Sequence, residues 1–182
     1  LENGFAFCDV VLGWDSHDQL FDNVKYTGWH TAYPDAWVRV VPSTCRDLPM
    51  EGNMLLFLGE FTDKAEAICP RGTLRRVLDR AAQLGFDVYS ALEFEFFMFD
   101  ETPESIRQKN YKDLQPMTPG WFGYSAIRNT VWAELYHEIL DTCEKMRMPI
   151  EGLHTETGPG VLEAAITVDK ALESADRGAL FK

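Results

Sequence analysis

Glu93 and Glu95 are the first residues whose type and spacing point to chemistry. They lie in the run Ala91-Leu92-Glu93-Phe94-Glu95-Phe96-Phe97-Met98-Phe99. In a strand, residues two apart project from the same face, so both carboxylates point one way while Leu92, Phe94, Phe96 and Met98 form the core side. Two carboxylates on a largely apolar strand repel each other and resist desolvation. A hard divalent cation such as Mg²⁺ or Mn²⁺ relieves both costs; an edge strand with a solvated Glu face is the plainer reading of the pair alone. A second acidic pair, Glu156 and Glu163, flanks Gly158-Pro159-Gly160 within His154-Thr155-Glu156-Thr157-Gly158-Pro159-Gly160-Val161-Leu162-Glu163. A hairpin there returns Glu163 close to Glu156, beside apolar Leu162, Ala164, Ala165 and Ile166. Four glutamates on two apolar strand systems with no matching Lys or Arg make a carboxylate-held metal site a reading on a par with a surface hairpin. His154 shares strand parity with Glu156, and a core histidine is an equal reading. Glu151 has the opposite parity and joins the site only if Gly152 marks a bulge.

These residues need elements to hold them. The strand carrying Glu93 and Glu95 is expected across Asp87–Asp100. Before it, Leu74, Val77, Leu78 and Ala81 fall at helical spacing, with Thr73 as N-cap and Gly85 as the stop; Arg71, Arg75, Arg76 and Arg80 on that helix read as its solvated face. A polar stretch containing Pro103, Pro116, Pro119 and Gly120 follows, long enough to be functional or flexible. A helix then carries Val131, Trp132, Leu135, Ile139, Cys143 and Met146 on one side and is bounded by Pro149. Ile150–Glu156 and Val161–Ile166 read as paired strands, and a last helix begins near Asp169. Upstream, short apolar runs (Phe5–Trp14, Trp37–Val41, Met54–Phe61) read as strands joined by turns. The division is 1–66 and 67–182, and the second block is α+β. The chain begins at Leu1 and stops at Leu180-Phe181-Lys182 inside a helical pattern, so it is read as a fragment of a longer protein.

Composition narrows the function classes. The 182 residues carry 17 Lys+Arg against 29 Asp+Glu, a net charge of −12. That excess repels phosphate backbones and anionic lipid, which argues against nucleic-acid or membrane-surface partners. The longest apolar run, Met54–Leu58, is far short of a membrane span, and no secretory leader is visible at Leu1-Glu2-Asn3-Gly4. Cys8, Cys45, Cys69 and Cys143 are widely spread, which reads as reduced thiols of a cytoplasmic protein. The scattered histidines disfavour a His/Cys zinc site, and there is no P-loop, no G-x-G-x-x-G after a strand and no G-x-S-x-G.

The run Ala91–Asp100 resembles the E-x-E-F-F-L-F strand of the glutamine synthetase family. His154–Glu163 resembles that family's H-H-E-V-x-P-G-Q-x-E stretch, with the same spacing of its glutamates. Phe21-Asp22 and Gly28-Trp29 keep the spacing of its F-D-G-S-S-I-x-G-W segment. The resemblance spans most of this chain but only the N-terminal part of the family's length. It implies a β-grasp N-terminal domain followed by the first part of a catalytic domain, an antiparallel sheet with helices. It implies a homo-oligomer of double rings with sites between neighbouring subunits. Glu95, Glu156 and Glu163 match ligands of one metal and Glu93 a ligand of the other. Glu151 matches a nucleotide contact, which favours the bulge, and His154 falls on the cofactor-binding side. Asp22 matches the acidic residue lent to the next subunit, where it helps bind and deprotonate ammonium.

The implied activity is that of an ATP-dependent ligase of nitrogen metabolism. It activates the γ-carboxylate of glutamate as γ-glutamyl phosphate and transfers it to ammonia or a small amine. ATP and glutamate are both anionic, so Mg²⁺ or Mn²⁺ is needed to neutralise and align them; attack needs a neutral nitrogen, hence the carboxylate of Asp22. Asn23-Val24-Lys25-Tyr26 replaces G-S-S-I, and Thr155 and Val161-Leu162 replace the second His and the Gln. These departures touch the amine side and are closer to relatives that make γ-glutamyl amides from methylamine or polyamines. The family's remaining ligands and its phosphate- and glutamate-binding arginines lie beyond Lys182, so this chain alone is expected to be inactive. The competing readings are a non-catalytic glutamine synthetase-like domain with an assembly or binding role, and a phosphagen-kinase-like enzyme.

Overall fold

Short strands joined by turns build the antiparallel ladders of the N-terminal block. In the computed structural model, which describes residues 4–21, 24–52, 54–121 and 123–182, Phe5–Cys8 (β1) pairs with Asp35–Val40 (β2), Phe5 opposite Val38. Arg46–Asp47 (β3) pairs with Leu55–Leu56 (β4). Gly59–Phe61 (β5) joins the other side of β2, giving the order β1-β2-β5. Helix α1 follows at Pro70–Gln83. Next come Tyr89–Ser90 (β6), Glu93–Phe97 (β7), Pro103–Gln108 (α2), Ala126–Asn129 (α3) and Ala133–Lys145 (α4). Ile150–Thr155 (β8), Val161–Ile166 (β9), Asp169–Lys170 (β10) and Ala171–Phe181 (α5) complete the order. The chain divides into two compact units, residues up to 88 with 170–176, and residues 89–169 with 177–182. The mixed helix-and-sheet class is as the sequence predicts. Asp22 lies outside the described residues. Among the described residues, no helix is long and apolar enough to cross a membrane.

Several local expectations are corrected. The run Phe5–Trp14 is a strand only to Cys8. Asp9–Gly13 is a 3₁₀ turn, because Asp9 is buried and accepts from the Thr27 hydroxyl at 2.5 Å while its N–H donates to the Pro34 carbonyl. Helix α1 begins at Pro70 with Cys69 in the capping position, since proline at the first helical position loses no bond and has its φ preset; Thr73 is already helical, donating to the Cys69 carbonyl. The helix ends before Gly85, as predicted, with Gly85 at φ +85°. The strand expected across Asp87–Asp100 is two short ones, β6 and β7. Val131, assigned to the buried stripe of the long helix, is 77% exposed and precedes α4, whereas Cys143 and Met146 are buried.

The arginines of α1 are not a solvated face. Glu60 on β5 is 1% exposed, and a buried carboxylate demands countercharge. Arg71 reaches Glu60 at 2.8 Å and forks onto both oxygens of Asp176 at 2.8 and 3.0 Å. Arg75 and Arg39 close on Glu60 as well. Bidentate pairing with Asp176 holds the Arg71 guanidinium in its charged form and raises its pKa. Arg76 turns to the carbonyls of Glu66 and Ala67. Only Arg80 keeps to its own helix, donating to Gln83.

In the second unit the polar stretch after β7 is folded back on itself. Its first turn is capped reciprocally by Thr102 and Ser105. Glu101 accepts from the Ser105 hydroxyl, the Lys109 ammonium and the Gln115 N–H. These bonds hold its carboxyl down to a pKa of about 2 from an ordinary 4.5, the Lys109 bond contributing most. Asp100 N–H donates to Gln115 O and Met117 N–H to Met98 O, closing the excursion at its base.

Two outcomes follow. Glu60→Gln strands its arginines and is expected to lower the unfolding free energy by about 3 kcal/mol. Urea unfolding reads this as a lower midpoint at unchanged slope; an unmoved midpoint would show that the cluster contributes nothing. A carboxylate with a depressed folded-state pKa contributes stability above its ordinary pKa and loses it as pH falls through the depressed one. Amide exchange at Gln115 should therefore rise above its intrinsic acid dependence as pH drops from 4.5 toward about 2. Glu101→Gln should show the rise already at neutral pH; equal exchange in the two proteins would exclude Glu101 as the clasp.

Candidate metal-binding site

The site is built on the three-stranded antiparallel sheet β7-β9-β8. Cross-strand partners share a face, and the register places Glu95 opposite Glu163 and Glu163 opposite His154, one row across all three strands. The adjoining row is Glu93, Ala165 and Gly152. The other face carries Phe94, Phe96, Leu162 and Ala164, and Leu162, Ala164 and Ile166 are fully buried. Phe94 packs on Phe181 at 4.9 Å between ring centres. Glu93 and Glu95 therefore stand on one open face over apolar packing, as strand parity predicts.

Glu156 follows the end of β8. Its N–H donates to the Val161 carbonyl at 2.9 Å, so the hairpin closes just where the second acidic pair begins. The turn requires Gly160: its φ is +73°, and a Cβ there would collide with the Met98 carbonyl oxygen. Its N–H donates to buried Thr118 and its carbonyl accepts from Met98 N–H, tying the turn to the strand after Glu95. The register slips between Ile150 and Gly152, placing an irregularity at Glu151. Glu151 is exposed and is not part of the close donor group described next.

His154, Glu156 and Glu163 each present one ligand atom, all within 4.8 Å of one another. Glu95 is the direct cross-strand neighbour of Glu163. Like charges directly opposite on a sheet repel, and the effect registers at Glu163. Burial pushes its carboxyl pKa up, and the charges of Glu93, Glu156 and Glu95 add to this while His154 opposes them. Three of the glutamates predicted from sequence thus act electrostatically on the fourth, Glu163. One imidazole and several carboxylate oxygens are a donor set suited to Mn²⁺, and the carboxylates to Mg²⁺; the residues present fit such an ion.

Glu156 has both oxygens engaged. Tyr124 donates its phenol to Oε1 at 2.6 Å, and Thr157 donates its N–H and hydroxyl to Oε2 at 2.9 and 3.1 Å. These bonds, Tyr124's first, lower the Glu156 pKa, and the same bond raises that of Tyr124, with the charges of Glu156, Glu163 and Glu95 acting in the same sense. The Tyr124 ring also meets His154 edge to face at 5.2 Å. Sequence reasoning missed Tyr124; the only signal was the length of the polar stretch in which it lies.

Comparison with known proteins adds a family. Residues 67–182 match the model described as glutamine synthetase, catalytic domain. Type-1 glutamine synthetase 2 of Dictyostelium discoideum is 44% identical to this chain, over 100% of it and 35% of the relative. Glutamate–isopropylamine ligase of a Pseudomonas species is 28% identical, over 99% of this chain and 40% of the relative. A solved structure described as a novel glutamine synthase homolog shares the fold at a TM-score of 0.73 and 16% identity, over 100% of this chain and 40% of that one. The chain thus spans well under half the length of each. With the acidic sheet face and the matched catalytic-domain segment together, this chain belongs to the glutamine synthetase family.

Proposed function

We propose that this chain is the N-terminal part of an ATP-dependent carbon–nitrogen ligase that phosphorylates the γ-carboxylate of glutamate and passes the γ-glutamyl group to ammonia or a small amine. The observation that carries the reading is the row Glu95–Glu163–His154 with Glu156 at its end and Glu93 beside it. In this reading Glu95, Glu156 and Glu163 hold one divalent ion and Glu93 belongs to a second. His154 and Glu151 serve the cofactor and nucleotide side. A bound Mg²⁺ or Mn²⁺ supplies the positive charge that lets anionic phosphate and anionic glutamate approach. Asp22 accepts the proton that an ammonium or alkylammonium must lose before its nitrogen can attack. Residues 1–66 are read as the β-grasp domain and 67–182 as the start of the catalytic domain of a cytoplasmic, ring-forming homo-oligomer.

The choice of amine belongs to the same reading. Thr155 stands where the family's motif has a second His, and Asn23-Val24-Lys25-Tyr26 stands where G-S-S-I follows the Asp. The second departure directly follows Asp22, the residue read as the proton acceptor, which supports a small alkylamine as acceptor beside ammonia. The relatives include a glutamate–isopropylamine ligase as well as proteins named glutamine synthetase.

Titration of this chain with Mn²⁺, followed by the paramagnetic resonance of the free ion, should give saturable binding. Glu163→Gln and Glu156→Gln should each weaken it by on the order of tenfold or more; retention of wild-type affinity in both would remove these carboxylates from the site. In the protein encoded by the reading frame that contains this chain, ADP release should require glutamate together with an amine. Ammonia, methylamine and isopropylamine compared side by side would rank the acceptors. Nucleotide turnover indifferent to every amine would sink the ligase assignment.

A further inference from the structure

We propose that Thr155 and Asn129 form a positioning relay that holds Tyr124 against Glu156 and thereby aims that carboxylate into the acidic site. The inference rests on the metal-site reading above and extends it to residues outside the acidic face.

Thr155 is 3% exposed. It pairs with Leu162, so it belongs to the face opposite His154 and Glu163, and its hydroxyl takes no part in the acidic row. That hydroxyl donates to the Gly123 carbonyl and accepts from the Asn129 side-chain amide at 3.2 Å. The two contacts lie at the two ends of the segment 123–129. Gly123 sits at φ +56°, a turn conformation that favours glycine, and Tyr124 follows it directly. At the other end, Asn129 is the last residue of α3, whose first turn is capped by the Ser125 hydroxyl. A single buried hydroxyl thus pins both ends of the segment to β8.

What the segment carries explains why it is pinned. Tyr124 is 72% exposed, yet its phenol bonds Glu156 and its ring packs on His154. Holding an exposed tyrosine in one orientation on a short loop costs conformational entropy, and a fixed backbone on either side reduces that cost. With Tyr124 on one oxygen and Thr157 on the other, Glu156 is oriented before any ion arrives. Outer contacts of this kind tune the affinity of carboxylate ligands.

The test is Mn²⁺ titration of four variants together with amide exchange in the absence of metal. Thr155→Val should weaken Mn²⁺ binding roughly tenfold, Thr155→Ser should restore it to within about twofold, and Tyr124→Phe should weaken it as much as Thr155→Val. The double variant Thr155→Val, Tyr124→Phe should be no weaker than either single, because both remove one support. Multiplying losses, an unchanged affinity in Thr155→Val, or failure of serine to rescue would overturn the relay. Without metal, exchange across 123–129 should accelerate in Thr155→Val and stay at the wild-type rate in Tyr124→Phe; no acceleration overturns the proposal. Should Thr155→Val fail to fold, Asn129→Ala gives the same exchange readout. If the wild-type chain binds no Mn²⁺, the metal-site reading fails, and exchange alone decides whether the anchor exists.

Discussion

Two glutamates facing each other across adjacent strands, Glu95 and Glu163, are the constraint on which the second unit depends. Their ionised forms repel, and partial burial of Glu163 raises the cost of its charge further. A sheet chosen for stability alone would place an apolar or oppositely charged pair there. The surrounding structure tolerates the repulsion by packing the other face tightly. Leu162, Ala164 and Ile166 are fully buried, and the antiparallel hairpin β8–β9 keeps the acidic row in register. The stress is placed where an added cation would relieve it.

Acidity is handled differently in the first unit. There Glu60 is buried more deeply than any site glutamate, but Arg39, Arg71 and Arg75 surround it. Its charge is answered within the chain, so it serves architecture. The contrast separates a carboxylate answered by arginines from carboxylates that face one another. Besides the other glutamates, the groups that act on Glu156 and Glu163 are His154, Tyr124 and Thr157. None of these is a lysine or arginine, in contrast to the partners of Glu60. The same logic makes Glu101 a clasp: with Lys109, Ser105 and the Gln115 N–H upon it, its charge folds the excursion between β7 and α3 back on itself.

How much was legible beforehand depended on whether the cause was local. Period-two alternation put Glu93 and Glu95 on one face, and the glycines of 158–160 marked the hairpin that brought Glu163 back toward Glu156. Gly85 marked the end of α1. Local pattern failed where a distant partner intervened. The arginines of α1 look like a solvated stripe in any reading of helical spacing, and only the packing of β5 against α1 reveals Glu60 beneath them. Val131 has the spacing of a core residue, but the chain enters α4 through a 3₁₀ turn, Thr130–Trp132, which leaves its side chain outside. The break between β6 and β7 and the 3₁₀ turn after Cys8 likewise lack a signal within their own residues.

The order of residues alone determined which side chains could do chemistry, and that two pairs of them shared faces, because strand parity and glycine turns are properties of a few neighbouring residues. Tertiary structure decided which strands would lie side by side. The order β7-β9-β8 puts Glu163 in the middle, between Glu95 and His154, and no spacing along the chain dictates a middle strand. It also decided that Tyr124, from a polar stretch with no pattern of its own, would reach Glu156, thirty-two residues away along the chain. Contacts of that range are set by how the whole unit packs, and the energy that selects them is spread over residues such as Leu162, Thr118 and Thr155 that carry no chemical signature themselves.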